Sequence, residues 1–383
     1  MTRLLRRQAR PALADERGIA LIITLFIVAL VAILVLEYHF DATIEVELAD
    51  NYASEVQAYH LAVTGINLAR VLLQRDDPAY DAPPELWALL TALTTTLCMS
   101  PQQLLEIARE QTQTQTQTQG SEAGQTIDTR LFDRPQPETV EQLPACIRLN
   151  IVDEARKLPI NALVDRNTDA IDEDWRQIFE TFFTNFEINT DAASALVDWI
   201  DVSPGHLEGG AEDDYYEALE HPYTTPDRPI QVPGELRLVR HFDCETLAKL
   251  FPGRECKDMA SIDLGRNNYL TPYSDSPETA RVNLNTATEE VLKALTQNPA
   301  CVEEILEKRI SVQGQVISEP ISDITQLATC TGPNFAKIAG VSSAYFRIES
   351  QGEVGGRIKK KIVAVVKRSG QQTPMKVVYF KVE

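Results

Sequence analysis

The densest set of potential ligand atoms lies between Asp198 and Glu217. Asp198, Asp201, Glu208, Glu212, Asp213, Asp214 and Glu217 crowd this stretch without a lysine or arginine, and Gly205, Gly209 and Gly210 make it a loop. Several carboxylates on a flexible loop suit Ca²⁺, which takes about six to eight oxygens with modest geometric demand. Without a cation, like-charge repulsion opposes a compact loop. The spacing is not that of an EF-hand, and a solvated acidic loop accounts for the same residues more simply.

Cysteines stand at 98, 146, 244, 256, 301 and 330. They form no CxxC pair, and no histidine follows at zinc-finger spacing. An even count in an exported domain suits disulfides, and local pairing would join Cys98–Cys146, Cys244–Cys256 and Cys301–Cys330; buried free thiols fit the same sequence. The histidines at 39, 60, 206, 221 and 241 make no ligand pair at helical spacing. HExxH, GxSxG and GxxxxGK[ST] are all missing, so a non-enzymatic protein is expected. The net charge of −20 argues against a nucleic-acid partner, because phosphate binding needs a basic surface.

The elements that must carry these residues begin with one apolar run. Ile19 to Leu36 contains Thr24 as its only polar residue, and its 18 helical residues span roughly 27 Å, close to a bilayer's hydrocarbon core. Five arginines and two acids give residues 1–18 a charge of +3, leaving −23 on the remainder. This bias, with no lysine or arginine from 18 to 69, places the amino end in the cytoplasm and the bulk of the chain across the membrane. No proline falls between Pro11 and Pro78 and no glycine between Gly18 and Gly65. Ile44, Leu48, Tyr52, Val56, Tyr59, Val63 and Ile66 then recur in steps of three and four, predicting one continuous helix to about Arg75 with a single apolar stripe.

Prolines break residues 78–145, and the Gln-Thr alternation over 111–119 reads as a solvated loop. Strand patterning appears at Ala145–Val152 and returns at Tyr345–Ser350, Ile358–Val366 and Val377–Val382, with Gly352, Gly355 and Gly356 turning one strand into the next. Between them lie helices at Trp175–Phe186 and Thr190–Ile200. Strands flanking a helical block are the pattern of one domain inserted into another. The expected class is α+β: a long amino-terminal helix on a small antiparallel sheet, with a large α-helical insertion.

Gly18-Ile19-Ala20-Leu21-Ile22 resembles a prepilin-type signal, in which a basic leader ending in glycine is cut away and the apolar helix is retained. That places cleavage between Gly18 and Ile19. Pilin-like subunits carry glutamate at the fifth retained residue, paired with a neighbour's amino terminus; here it is Ile23. A subunit with no neighbour above it needs no such carboxylate, so Ile23 points to the tip of a fibre. RGIALIITLFIVAL (17–30), KLPINALV (157–164), ALVDWID (195–201), GGAEDDYY (209–216), GELRLVRHFD (234–243) and VNLNTATEEVLKAL (282–295), in this order, resemble the type II secretion minor pseudopilin K family over nearly the whole retained chain. The resemblance implies a pilin fold with a helical insertion, a single-pass inner-membrane subunit at the pseudopilus tip, and partners among minor pseudopilins I, J and H, the major pseudopilin, a prepilin peptidase and exported proteins. It also implies methylation of Ile19, and Ca²⁺ in the acidic region, with Asp201, Glu212, Asp213 and Asp214 as expected ligands and Asp198 a helix-end residue. The implied organisation is a leader (1–18), pilin helix (19–75), variable loop and first strand (76–157), helical insertion (158–340) and closing strands (341–383).

VNLNTATEEVLKAL also resembles the start of a helix-hairpin-helix DNA-binding unit, with Thr286 or Thr288 as cap. Its continuation, Thr296-Gln297-Asn298-Pro299-Ala300, lacks the glycine whose backbone would meet phosphate, so a packing unit is expected. Lys359-Lys360-Lys361 reads as a solvated turn or edge. Two other classes remain: a membrane-anchored periplasmic binding protein that retains residues 1–18, and a DNA-uptake protein.

Overall fold

The computed structural model describes residues 16–76, 79–83, 85–96, 98–104, 106, 145–251, 268–309, 320–330, 332, 334–369 and 373–383. The first part of the basic leader, the Gln-Thr tract and Cys256 lie outside them. The chain divides into two compact units, residues 1–57 and 58–383. Helix α1 (Glu16–Arg75) contributes to both and runs through Gly18 and Ile19. In the first unit it is apolar and long enough to cross a membrane, and its side chains from Leu21 to Leu36 are exposed.

In the second unit, α1 lies on a four-stranded antiparallel sheet. β1 (Ala145–Asp153), β8 (Tyr345–Val354), β9 (Ile358–Lys367) and β10 (Lys376–Val382) stand in that order. The register aligns Leu149 with Ser350 and Ile362, and Ile151 with Ile348 and Ala364, so one face carries all of them toward α1. Glycines 355 and 356, both at positive φ, make the β8–β9 turn. Gly352, expected in that turn, sits inside β8 instead.

The predicted stripe on α1 divides. Ile44, Leu48, Tyr52 and Val56 are exposed, whereas Tyr59 and Val63 are partly buried against the core and Ile66 is buried in line with Ala58, Ala62, Ala69 and Leu73. Small residues win because the backbones approach closely: a Cβ on Gly352 would lie 1.9 Å from the Ala58 carbonyl oxygen, and one on Gly65 would lie 2.1 Å from Ser350 Oγ. Periodicity finds apolar faces, whereas close approach selects for size.

Both sheet edges are defined. β1 is closed off by α2 (Leu86–Thr96), whose Thr94 Oγ1 accepts from Leu149 N–H (3.1 Å) and donates to Leu149 O (2.6 Å), while Thr91 Oγ1 accepts from Ile151 N–H (2.9 Å). A bridge between Met99 and Ile147 and the Cys98–Cys146 disulfide extend the seal. β10 is the opposite edge.

The segment between β1 and β8 is mainly helical: α3 (Glu173–Asn185), α4 (Asp191–Ile200), α5 (Asp213–Tyr216), α6 (Cys244–Leu250), α7 (Glu289–Thr296), α8 (Pro299–Lys308) and α9 (Phe335–Ile338). Two-residue strands pair within it: β2 (Leu158–Pro159) with β5 (Leu270–Thr271), β3 (Val164–Asp165) with β4 (Ala170–Ile171), and β6 (Val282–Asn283) with β7 (Ala339–Gly340). One apolar core, including Trp175, Phe179, Phe182, Phe183, Leu196 and Leu292, fills this insertion. The Cys301–Cys330 disulfide ties α8 to the chain ahead of α9. Cys244 is disulfide-bonded, its expected partner lying outside the described residues.

The asparagines of the sequence motifs are buried backbone clamps. Asn161 donates to Ile230 O (2.8 Å) and Pro272 O (2.6 Å) and accepts from Ile230 N–H. Asn285 bonds both backbone groups of Ile321. Asn283 donates to Asp81 O, Asp153 Oδ2 and Ser343 Oγ, at 2.9–3.0 Å. Thr288 caps the start of α7, and the hairpin between α7 and α8 turns at Gln297 (φ 49°) and Asn298, which caps α8.

The Gly352 contact is testable. Gly352→Ala forces α1 off the sheet and is expected to destabilise by about 1–3 kcal/mol, read as a drop of several degrees in Tm. Gly234→Ala, with nothing within 4 Å of the added methyl, should leave Tm unchanged.

Candidate cation site in the helical insertion

The site begins with α3 and α4. Asp172 caps α3, accepting from Asp174 and Trp175 N–H at 3.1 Å each. Nearly the whole surface of α4 is buried, so its final turn is fixed in place. Asp198 lies in that turn and Asp201 caps it, one helical turn apart on the same side. Two carboxylates there face the negative end of the helix dipole, an arrangement that favours a cation.

The following loop folds back over them. Asp198 accepts from Leu207 N–H (3.1 Å), and a Cβ on Gly210 would lie 1.9 Å from Asp198 Oδ2. Gly209 takes positive φ (83°), a conformation open to glycine at little cost. Arg240 donates to Gly210 O (2.7 Å) and stacks over Tyr215, and His241 Nε2 lies 3.0 Å from Gly209 O. The loop delivers Glu212, at the start of α5, to the same point.

Ligand oxygens of Asp198, Asp201 and Glu212 all lie within 4.8 Å of one another. The three side chains are 0%, 5% and 9% exposed, so water screens them little. Asp201 Oδ1 and Glu212 Oε1 are buried without a hydrogen-bond partner. Burial, then repulsion from neighbouring carboxylates including Asp198, pushes the Asp201 and Glu212 carboxyls up to about 7. Burial raises Asp198 to about 6 against the hydrogen bonds from Leu207 and Ala211. Orphaned oxygens on convergent carboxylates fit a divalent cation held by Asp198, Asp201 and Glu212.

The cluster holds Asp201 and Glu212 of the four expected ligands and adds Asp198. Asp213 is engaged elsewhere: its Oδ1 accepts from Thr225 N–H (2.7 Å) and Oγ1 (2.9 Å), which pins the far arm of the loop. Asp214 is exposed and outside the cluster. Asp198, expected to be a helix-end residue, is the most deeply buried of the three. A sequence signal existed: Asp-x-x-Asp closing an apolar helix, followed by Gly-Gly-x-Glu.

Residues 156–253 match the family profile for the first domain of type II secretion system (T2SS) protein K. Type II secretion system protein K of Pseudomonas aeruginosa is 25% identical over 359 residues, covering 92% of this chain and 89% of that protein. The Pectobacterium carotovorum protein of the same name is 36% identical over 128 residues, 32% of this chain and 38% of its own. The chain is similar to type II secretion system protein K. Its fold matches a chain of the GspK–GspI–GspJ complex from enterotoxigenic Escherichia coli, with TM-score 0.51, 15% identity, and coverage of 89% of this chain and 99% of that one. The profile spans the acidic cluster together with the Asn161 clamp.

The pH dependence of this protein follows from the site. Each of the three carboxyls titrates higher folded than unfolded, where values near 4 apply. Their contribution to stability is therefore complete below about pH 4 and is lost as pH rises through 6–7. Asp81 (about 7) and Glu85 (about 8), both raised mainly by burial, act in the same direction. In EDTA, Tm of the full chain in detergent should fall from pH 5 to pH 8. Asp201→Asn combined with Glu212→Gln should remove part of that fall, isolating the contribution of the cluster.

Proposed function

We propose that this chain is a non-enzymatic minor pseudopilin that caps the type II secretion pseudopilus, starts its assembly and supports export across the outer membrane. The observation that carries this reading is the large helical insertion between β1 and β8 of a pilin-type unit. A domain of that bulk suits a subunit with nothing stacked above it, and Ile23 in place of the family's glutamate agrees. A prepilin peptidase would cut between Gly18 and Ile19 and leave Ile19 as a methylated amino terminus. Until assembly, the apolar part of α1 would hold the subunit in the inner membrane, with the bulk of the chain periplasmic. Partners would be minor pseudopilins I and J, then H and the major pseudopilin, with exported proteins meeting the insertion.

The cation at Asp198, Asp201 and Glu212 would be Ca²⁺, whose chemistry here is structural: it neutralises the three carboxylates and fixes the loop to the end of α4. At about 100 times its Kd, such an ion stabilises the folded state by roughly 2.7 kcal/mol. Ca²⁺ should therefore raise Tm at pH 8 by several degrees in the unaltered chain and leave the Asp201→Asn/Glu212→Gln variant unmoved. Terbium offers a second readout, because Trp199 adjoins the site and can sensitise its emission; emission that calcium does not quench would remove the ion from the proposal.

Capping is tested in the host. The amino terminus should be Ile19 when the prepilin peptidase is present and Met1 when it is absent. Gold label on the insertion should mark one end of each pseudopilus, and label spaced along the fibre would refute the cap. Exchanging residues 160–340 for a short linker should abolish secretion while leaving membrane insertion intact.

A further inference from the structure

Helices α3, α7 and α8 leave a groove of about 740 Å³ on the insertion. α7 packs on both of the others, and Gln297 Nε2 donates to Thr181 Oγ1 (3.2 Å), tying the end of α7 to α3. The lining from α8 runs along one helical face: Pro299, Val302 and Leu306 in steps of three and four, with Glu303 and Glu307 beside them. Leu306 is 37% exposed, with Val302 buried one turn before it.

The charge of the lining is one-sided. It holds three glutamates and one lysine. Lys293 is already paired with Glu289 (2.7 Å), four residues away on α7. Lys308, at the end of α8, is held by Glu304 and the Gln326 carbonyl. Among the described residues, Glu303 and Glu307 make neither a hydrogen bond nor an ion pair. The groove thus has an apolar wall and, beside it, two unpaired negative charges one helical turn apart.

We infer that this groove seats an amphipathic helix of another polypeptide. Its apolar side would cover Pro299, Val302 and Leu306, and lysines or arginines four residues apart would meet Glu303 and Glu307. A helix suits the groove better than a strand. The walls are helices whose backbone groups are bonded internally, so an extended segment would find no ladder there, whereas a helix brings its own hydrogen bonds. A second copy of this chain is a poor occupant: among the described residues, no helix carries two lysines or arginines four residues apart. Such docking does not depend on where the chain stands in a fibre.

The probe is an amphipathic peptide of about four helical turns, leucine on one face and lysine on the other, with a benzophenone on the leucine face. The same peptide with glutamate for lysine is the control. Each is added to the full chain in an uncharged detergent and irradiated. Cross-linked residues are mapped by mass spectrometry, so that peptide held only by the micelle is not counted. The lysine peptide should label α8 around Val302 and Leu306, in preference to the glutamate peptide by about fivefold or more. Glu303→Lys combined with Glu307→Lys should reverse that preference. Both positions are exposed, so the double variant should keep the parent Tm, which is measured alongside. Asn185→Trp, which fills the groove from the α3 side and leaves its charges alone, should suppress labelling by the lysine peptide. Equal labelling by the two peptides overturns the proposal, as does labelling that stays outside the groove or a preference that survives the charge reversal. Labelling that fades as the protein concentration rises would identify a second copy as the occupant and also overturn it.

Discussion

The close approach of α1 to the sheet is the constraint on which the rest of the second unit depends. Gly65 and Gly352 let the helix backbone descend until Ala58 and Ala62 lie against β8. A helix this close can cover only about two to three strands, given roughly 10 Å between a helix flank and its neighbour and strands about 4.8 Å apart. β1, β8 and β9 supply the buried residues beneath it, and β10 is left with its apolar side exposed. The same packing explains why the amphipathic stripe is narrower and smaller in side-chain volume than sequence periodicity suggests.

The helical insertion is joined to this unit by polar contacts as well as apolar ones. Asn283 ties the backbone of Asp81 to the carboxylate of Asp153 and to Ser343, and Arg368 donates to Asp81 at 2.5 Å while its guanidinium lies over Phe346. On the other side of the sheet, Lys157 and Glu154 form a buried ion pair at 2.6 Å, with Thr271 donating to the same carboxylate. Such networks are costly when half satisfied; Asn283 and the Lys157–Glu154 pair are well supplied with partners, whereas Arg368 keeps Nε and Nη1 buried without a hydrogen-bond partner. They fix orientation, because a shifted insertion would strand several buried polar groups at once.

The acidic cluster differs from those networks in leaving oxygens without partners. Asp198 is satisfied by backbone N–H groups, but Asp201 and Glu212 keep one buried oxygen each. The loop that brings Glu212 in is held from outside by Arg240, His241 and the Asp213–Thr225 bonds. The fold thus assembles repelling charges, a cost that a divalent ion would offset.

How far the sequence could be read depended on whether a property was local. The apolar run, the four long strands, helices α3 and α4 and two of the local cysteine pairs were all legible, because each follows from neighbours along the chain. Which of Asp198 and Asp213 turns toward Asp201 and Glu212 was not legible, because both carry the same side chain on the same acidic stretch. Only the return of the loop decides which faces inward: Gly210 lets it wrap Asp198, and Thr225, twelve residues past Asp213, draws that carboxylate away. The buried face of α1 was likewise settled by distant glycine and alanine contacts. The sequence by itself determined the elements, their order and the pilin-like class. The tertiary structure alone decided which carboxylates converge and which face of α1 is buried, since both depend on contacts between residues far apart in the chain.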